Sequence, residues 1–503
     1  MIWIIALIFA IWGIILYIAK IKGKKYGFDL AGPLLMWKTE KGKKFIERIA
    51  EKRIWGKYGN FSIMVCIIAM IFTTWLILWN VLIAIKIPPQ NAPSPRLILG
   101  IPGINPIIPI GYGILALAIA IVIHEFSHGI MAKFGKIKIN YLGLLFLIVP
   151  VGAFVEPDEE KLKKVSVLKR SRVFASGPSS NIILAIICIL LLSFVFSPLI
   201  TPKTEGVIIT QDAYGIDKWS VITEVEGIKV NEKEKFLNVS ENFTAGEFYN
   251  ITVFEKNNLS EKRILYGVVV LKIVKDSPAE NKLYEKCIIY RINNHSIGNR
   301  EDFFSFMNST TAGEKIDIYF YYNNSKLNTS VILADKYNFI KNDKNIGKGF
   351  LGVEAYSIDN LLLNDEYIKN VFNPLKTELN LNSIRNKFLS FIALPFTGLS
   401  PPPQEIIDIY TPSEFFWILY NIVYWIFWLN FAVGTFNALP SMPLDGGYIF
   451  RDGINYILSK FSSAKKERVE KISSFLSSAV SIIVFIGIFS IILIPRLRFL
   501  ISS

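Results

Sequence analysis

Apolar runs long enough to cross a lipid bilayer constrain this chain more than any other feature. A helix needs roughly 18 or more largely apolar residues to span the hydrocarbon core. Six segments meet that length: Ile2–Ala19, Phe61–Ile85, Gly111–Phe134, Asn181–Ile200, Phe415–Phe436 and Ser473–Ile494. The first lacks a basic leading region and a clean small-residue cleavage site, and Lys20 follows it directly. It therefore reads as a retained span rather than a removed signal. With 52% hydrophobic residues and a mean hydropathy of +0.40, the chain is too apolar for an ordinary soluble protein. A net charge of +14 could suit nucleic acid, but the bases sit in short segments beside apolar runs, where they act as topology signals. No nucleic-acid partner is expected. Cys66, Cys188 and Cys287 form no CxxC pair and no disulfide framework.

Charge orients the spans. The segment Lys20–Asn60 carries twelve Lys/Arg against four acids, and the loops Gly135–Ser180 and Asn437–Ile472 are also basic. Six spans put all three on one side, which the positive-inside rule makes the cytoplasm. The connector Pro88–Ile110 and the long insert Thr201–Ser413 then lie outside the cell membrane. Eight N-x-S/T triplets, starting at Asn238, Asn242, Asn250, Asn258, Asn294, Asn308, Asn323 and Asn328, fall in that insert. They suit a translocated surface, although an Asn- and Ser-rich segment also makes such triplets by chance.

The insert repeats itself. Val221–Gly227 aligns with Ile288–Asn294, and Thr244-Ala245-Gly246-Glu247 aligns with Thr311-Ala312-Gly313-Glu314 at the same offset. Alternating, strand-like residues follow each, as one internal duplication would produce. The second copy, with Gly267-Val268-Val269-Val270, Asp276-Ser277-Pro278-Ala279 and Ile289–Ile297, resembles a PDZ domain. Such domains take an extended peptide as an added strand, so peptide ends become a possible partner. The first copy is shorter between Gly206 and Val221. His295 sits in a turn of the second copy and reads as a surface residue.

The chemistry lies in the third span. Ile121–His128 contains an H-E-x-x-H motif. Residues four apart share a helix face, so His124 and His128 can reach one Zn2+ ion, and Glu125 beside them can act as catalytic base on the attacking water. A chance match would have to place two of the chain's three histidines four apart inside a span. Ionisable clusters there are costly and functional by default. A third ligand is missing locally: Glu156, Glu159 and Glu160 follow only after the apolar run Tyr141–Val155. A distant segment, Asn437–Gly447, has two prolines and two glycines and carries Asp445. Spacing alone leaves two readings: Asp445 enters the site as a carboxylate ligand, or it belongs to a turn that ends the helix at the surface.

These residues together resemble the site-2 protease family of intramembrane zinc metalloproteases. The H-E-x-x-H helix, Gly177-Pro178-Ser179-Ser180-Asn181 and Asn437…Leu444-Asp445-Gly446 stand in that family's order. The resemblance implies Asp445 as third zinc ligand. It implies that Asn181 and Asn437 hold the substrate strand or the reacting carbonyl. It also implies a membrane-embedded hairpin at Tyr141–Val155 that pairs with the unwound substrate. Counting from Gly111, His124 lies about 20 Å along its span, so water must reach that depth from the cytoplasmic side. Phe391–Gly398 reads either as an interfacial segment near the substrate's path or as a hydrophobic loop under the insert.

The expected fold is a polytopic α-helical membrane protein of six spans with a mixed α/β, tandem PDZ-like extracytoplasmic insert. The expected domains are residues 1–110 (leading spans and basic loop), 111–200 (catalytic helices), 201–360 (tandem insert), 361–414 (linker) and 415–503 (the L-D-G helix and last span). The expected function is hydrolysis of membrane-anchored protein substrates within or near the bilayer. Two alternatives remain: a membrane zinc protease of another family with a Glu third ligand, and a non-catalytic PDZ-bearing scaffold. The L-D-G segment speaks against the first, and the intact Glu125 against the second.

Overall fold

The computed structural model describes residues 2–88, 92, 94–97, 100–147, 149–376, 400–461 and 466–502. Phe391–Gly398 lies outside them. The described residues form two compact units, one from 2–192 and 419–502, the other from 193–376 and 400–418.

The first unit opens with α1 (Ile2–Lys22), β1 (Phe28–Ala31), β2 (Leu34–Thr39), α2 (Lys43–Ala50) and α3 (Ile54–Ala84). It continues with α4 (Ile110–Phe134), β3 (Ile139–Leu147), β4 (Val149–Pro157), α5 (Glu159–Lys164) and α6 (Val167–Leu191). Among the described residues, five helices are long and apolar enough to cross a membrane: Ile54–Ala84, Ile110–Phe134, Val167–Leu199, Glu414–Asn437 and Glu467–Leu497. They cover five of the six expected spans. The remaining one is helical as α1, and its crossing stays an expectation. α4 and the helix Glu414–Asn437 match their apolar segments to within one residue at each end, whereas α3, α6 and the last helix begin well before theirs. α6 starts at Val167 rather than Asn181, because once a helix forms, its hydrogen bonds favour continuing it through the polar turns beyond the bilayer core.

The basic segment after α1 has a structural role that its charge did not disclose. β2 pairs antiparallel with β3, from Leu35↔Phe146 to Thr39↔Leu142, which makes the expected hairpin part of a four-stranded sheet in the order β1-β2-β3-β4. Ile46 and Ala50 of α2 pack with Ile130 of α4 and with Ile139, Leu142 and Val155 of the sheet. The sheet is thereby pressed onto the helix that carries H-E-x-x-H.

The second unit holds two large β sheets, each with its own apolar core, and a small two-stranded sheet of Ala334–Asp335 with Gly349–Phe350. Its elements are β5 (Val207–Ile209), β6 (Val221–Val225), β7 (Ile228–Lys229), α7 (Lys233–Ser240), β8 (Phe248–Glu255), β9 (Asn258–Leu265), β10 (Val268–Ile273), β11 (Ile288–Ile292), β12 (His295–Ser296) and α8 (Arg300–Ser309). Then come β13 (Lys315–Tyr322), β14 (Ser325–Ile332), β15 (Ala334–Asp335), α9 (Lys336–Phe339), β16 (Gly349–Phe350), β17 (Val353–Ser357), α10 (Ile358–Leu361), β18 (Leu362–Asn364), α11 (Asp365–Val371) and α12 (Gln404–Asp408). One large sheet runs β14-β13-β11-β10-β17 and the other β18-β5-β6-β8-β9. β18 follows the whole second copy in sequence, yet it pairs with β5 of the first. The copies are therefore nested: the second is inserted before the first is complete. Ile358, Leu361 and Leu362 are buried in the first copy's core. His295 is exposed in β12, as its turn position suggested.

Three helices close the chain: α13 (Glu414–Asn437), α14 (Asp445–Phe461) and α15 (Lys466–Ser502).

Candidate metal centre

α4 follows Pro109, whose extended backbone starts the helix, and ends at Gly135. Its 3.6-residue period puts His124 and His128 on one face, with ring centroids 4.7 Å apart. Asp445, the first residue of α14, reaches the same point from 321 positions along the chain: its Oδ2 is 3.0 Å from His124 Nε2 and 3.3 Å from His128 Nε2. The three ligand atoms lie within 4.8 Å of one another.

The surroundings fit a metal. His128 Nδ1 lies 2.7 Å from the carbonyl of Val173, which accepts a hydrogen bond from Nδ1–H in that tautomer and leaves the Nε2 lone pair facing the carboxylate. Gly177 of α6 lies directly against the imidazoles. A Cβ there would come within 2.7 Å of His128 Cε1 and 2.8 Å of His124 Cε1. Two imidazole nitrogens and one carboxylate oxygen are a donor set suited to Zn2+ with a position left for water or substrate.

Glu125 points elsewhere. Its Oε2 accepts the backbone N–H of Val155, in β4, at 3.0 Å. Gly129, one turn along α4, permits that approach, because a Cβ there would lie 3.1 Å from Ile46 and 3.2 Å from Val155. The catalytic-base candidate is thus anchored by one oxygen to the hairpin strand, leaving its other oxygen to receive a proton.

Asn181, on α6, is 0% exposed, and neither its Oδ1 nor its Nδ2 has a partner among the described residues. A buried amide left unpaired costs free energy unless something else satisfies it. Gly434 of α13 packs against this stretch, where a Cβ would meet the Pro178 carbonyl at 2.8 Å and Asn181 Cβ at 3.2 Å. Asn437, the last residue of α13, is half-buried, and its Nδ2 donates to the Val433 carbonyl at 3.0 Å. The segment from Asn437 to Asp445 is tied to α15: Met442 N–H donates to Ser481 Oγ at 2.8 Å, and Ser441 Oγ approaches the Ser481 carbonyl.

The leading span also touches the site. Tyr58 of α3 donates to the Ser176 carbonyl at 3.1 Å and bonds Ser180, which in turn bonds Ser127 at 2.6 Å. Sequence reasoning named Gly177 and Val155 only as parts of a motif and of the hairpin segment, and gave no role to Tyr58 or Ser481.

The family model described as peptidase family M50 matches residues 112–484. An uncharacterised protein of Methanocaldococcus jannaschii is 32% identical over 261 residues, 51% of this chain and 68% of that protein. The regulator of sigma E protease of Haemophilus influenzae is 24% identical over 229 residues, 34% of this chain and about half, 52%, of that protein. The chain is also similar to the PDZ domain of an SdrC-like protein of Listeria monocytogenes, at 20% identity over 20% of this chain and 96% of that one, with a TM-score of 0.17. A second such domain, from Listeria innocua, matches at 24% identity over 18% and 92%, with a TM-score of 0.16.

Proposed function

The chain belongs to peptidase family M50, and from that membership we propose that it is an intramembrane zinc endopeptidase that hydrolyses membrane-anchored proteins. The observation that carries this reading is the convergence of His124, His128 and Asp445 on one point of the helix that also carries Glu125. His124 and His128 lie within a helix fit to cross the bilayer. Zinc bound by these three residues would supply Lewis acidity, polarising the scissile carbonyl and making a water acidic enough to attack near neutral pH.

The protein's own groups divide the remaining work. Glu125, oriented by the Val155 N–H, takes the proton of the attacking water and passes it to the leaving amine. Asn181 offers a buried amide whose unmet hydrogen bonds suit a substrate backbone or the developing oxyanion. Asn437 stands at the opposite end of the broken segment and can join it if its Nδ2 leaves Val433. A helical substrate shields its amides in its own hydrogen bonds, so a segment must unwind first. The β1–β4 sheet beside Glu125 offers replacement bonds to an extended chain. We place the active site towards the cytoplasm and the β-rich insert outside, from the basic loops that flank the spans. Peptide ends are the natural ligands of PDZ-like units there.

The test is cleavage of a panel of single-span membrane proteins by the purified, vesicle-reconstituted enzyme. Cleavage that a zinc chelator stops, that added zinc restores and that Glu125→Gln abolishes while still retaining the metal is the expected result. Zinc-loaded protein that leaves the whole panel uncut, as inert as Glu125→Gln, would favour the scaffold.

A further inference from the structure

Packing of Gly446 and Gly447 on the preceding turn and the Met442–Ser481 bond hold the start of α14, but neither joins Asp445 to the helices around the two histidines. Asp445 opens α14 just after a stretch with two prolines, and α4 lies more than three hundred residues away in sequence. Yet a ligand carboxylate must be held to a fraction of an ångström. The answer lies along the α6–α14 contact. Arg170 forks onto Asp452, with Nε to Oδ2 at 2.5 Å and Nη2 to Oδ1 at 2.8 Å. One turn nearer the site, Phe174 stacks on Tyr448 with centroids 4.5 Å apart and planes 6° from parallel. At the site itself, Gly177 meets the imidazoles that Asp445 also faces.

Residues 170, 174 and 177 recur on one face of α6, and 445, 448 and 452 on one face of α14, so the contacts form an antiparallel ladder. A slip of α14 by one residue would move Asp445 by about 1.5 Å and turn it by about 100°. The bidentate fork resists both motions, since a planar guanidinium fixes direction as well as distance. Asp452 is only 2% exposed. Arg170 is partly exposed and also donates Nη1 to the Lys163 carbonyl at 3.2 Å, so the desolvated partner is Asp452. An ion pair that desolvates a carboxylate contributes little net stability against an apolar pair of equal size, so its use is better sought in specificity. Resting on the zinc-site reading, we propose that Arg170 and Asp452 are positioning residues that lock α14 in the register where Asp445 is a metal ligand.

The experiment compares zinc affinity in metal-buffered titrations of the full-length protein, with the absorption spectrum of the cobalt(II)-loaded form as a second readout. Two variants probe the pair: Arg170→Lys, which keeps the charge but loses the fork, and the double replacement Arg170→Leu with Asp452→Leu. Expected are zinc affinity weaker by about tenfold or more, an altered cobalt spectrum, and an unchanged melting temperature of the metal-free double variant. Zinc affinity unaltered in a folded variant overturns the proposal. So does a loss of zinc that follows a matching drop in metal-free stability, or failure of both variants to fold, since the pair would then hold the bundle and not the ligand. The unaltered protein and Asp445→Ala are run alongside. If the first binds no zinc, or the second binds it equally well, the metal-site reading fails, independently of residues 170 and 452.

Discussion

Two residues with no charge show how finely the site is cut. Gly177 must lack a side chain, because any Cβ would intrude on both imidazoles. Gly177→Ala should lower turnover by roughly 100-fold, the order of loss expected when a reacting group is displaced by about an ångström. It should also weaken zinc binding, checked by titration against a metal buffer. Asn181 makes the opposite sacrifice: it keeps a buried, unpaired amide where an apolar residue of similar size would be at ease. Asn181→Leu should therefore raise stability by about 1–3 kcal/mol while cutting activity. Thermal melts and peptide-bond cleavage, measured on the same preparation, separate the two effects. Asn181 was readable from its place in the G-P-x-x-N motif. The demand on Gly177 was not, because it depends on side chains of another helix.

At the scale of elements, the sheet that flanks Glu125 is built from both sides of α3 in the sequence. β3 and β4 were expected as a hairpin only from the resemblance to the site-2 protease family, over the apolar run Tyr141–Val155. β1 and β2 were hidden in a segment whose charge overshadowed its short alternation of residues. Gly143 joins the two halves: it sits opposite Lys38, and a Cβ there would collide with the Trp37 carbonyl and the Phe154 ring. Gly143→Val should separate β2 from β3, expose residues 20–60 to limited proteolysis and lower activity through the anchoring of Glu125. Proteolysis no faster than in the unaltered protein would count against this role for the sheet. The ends of α4 and α13 were legible to within one residue, while the starts of α3, α6 and α15 were missed by about two turns or more, since apolarity marks the bilayer core and not the polar turns a helix adds beyond it.

At the scale of the molecule, the insert folds as one domain within another. The strand that completes the first sheet, β18, is made only after the second copy. Residues 267–357 expressed alone should fold, while 201–266 alone should not, as judged by amide dispersion in NMR spectra. Cys287 reports on the inner copy: burial pushes its thiol up to about 11, so little of it is thiolate at pH 8. Alkylation there should be slow until the inner copy unfolds. Because the folded value lies above the ordinary one, that copy should also lose stability as pH climbs from about 9 towards 11. A melting temperature equal at pH 8 and pH 10.5 would contradict this.

The amino-acid sequence by itself determined what depends on near neighbours. Transfer of apolar side chains into lipid sums along a segment, so the five long apolar helices could be located from composition. Helical periodicity needs only four residues, so the shared face of His124 and His128 could be read directly. What depends on distant partners was decided by packing. The approach of Asp445, the nesting of β18 against β5, the pairing of β2 with β3 and the fork from Arg170 to Asp452 each join pieces whose separation in sequence carries no local imprint. Periodicity and charge fix which face a residue occupies, and only the assembled helices and sheets decide what that face meets.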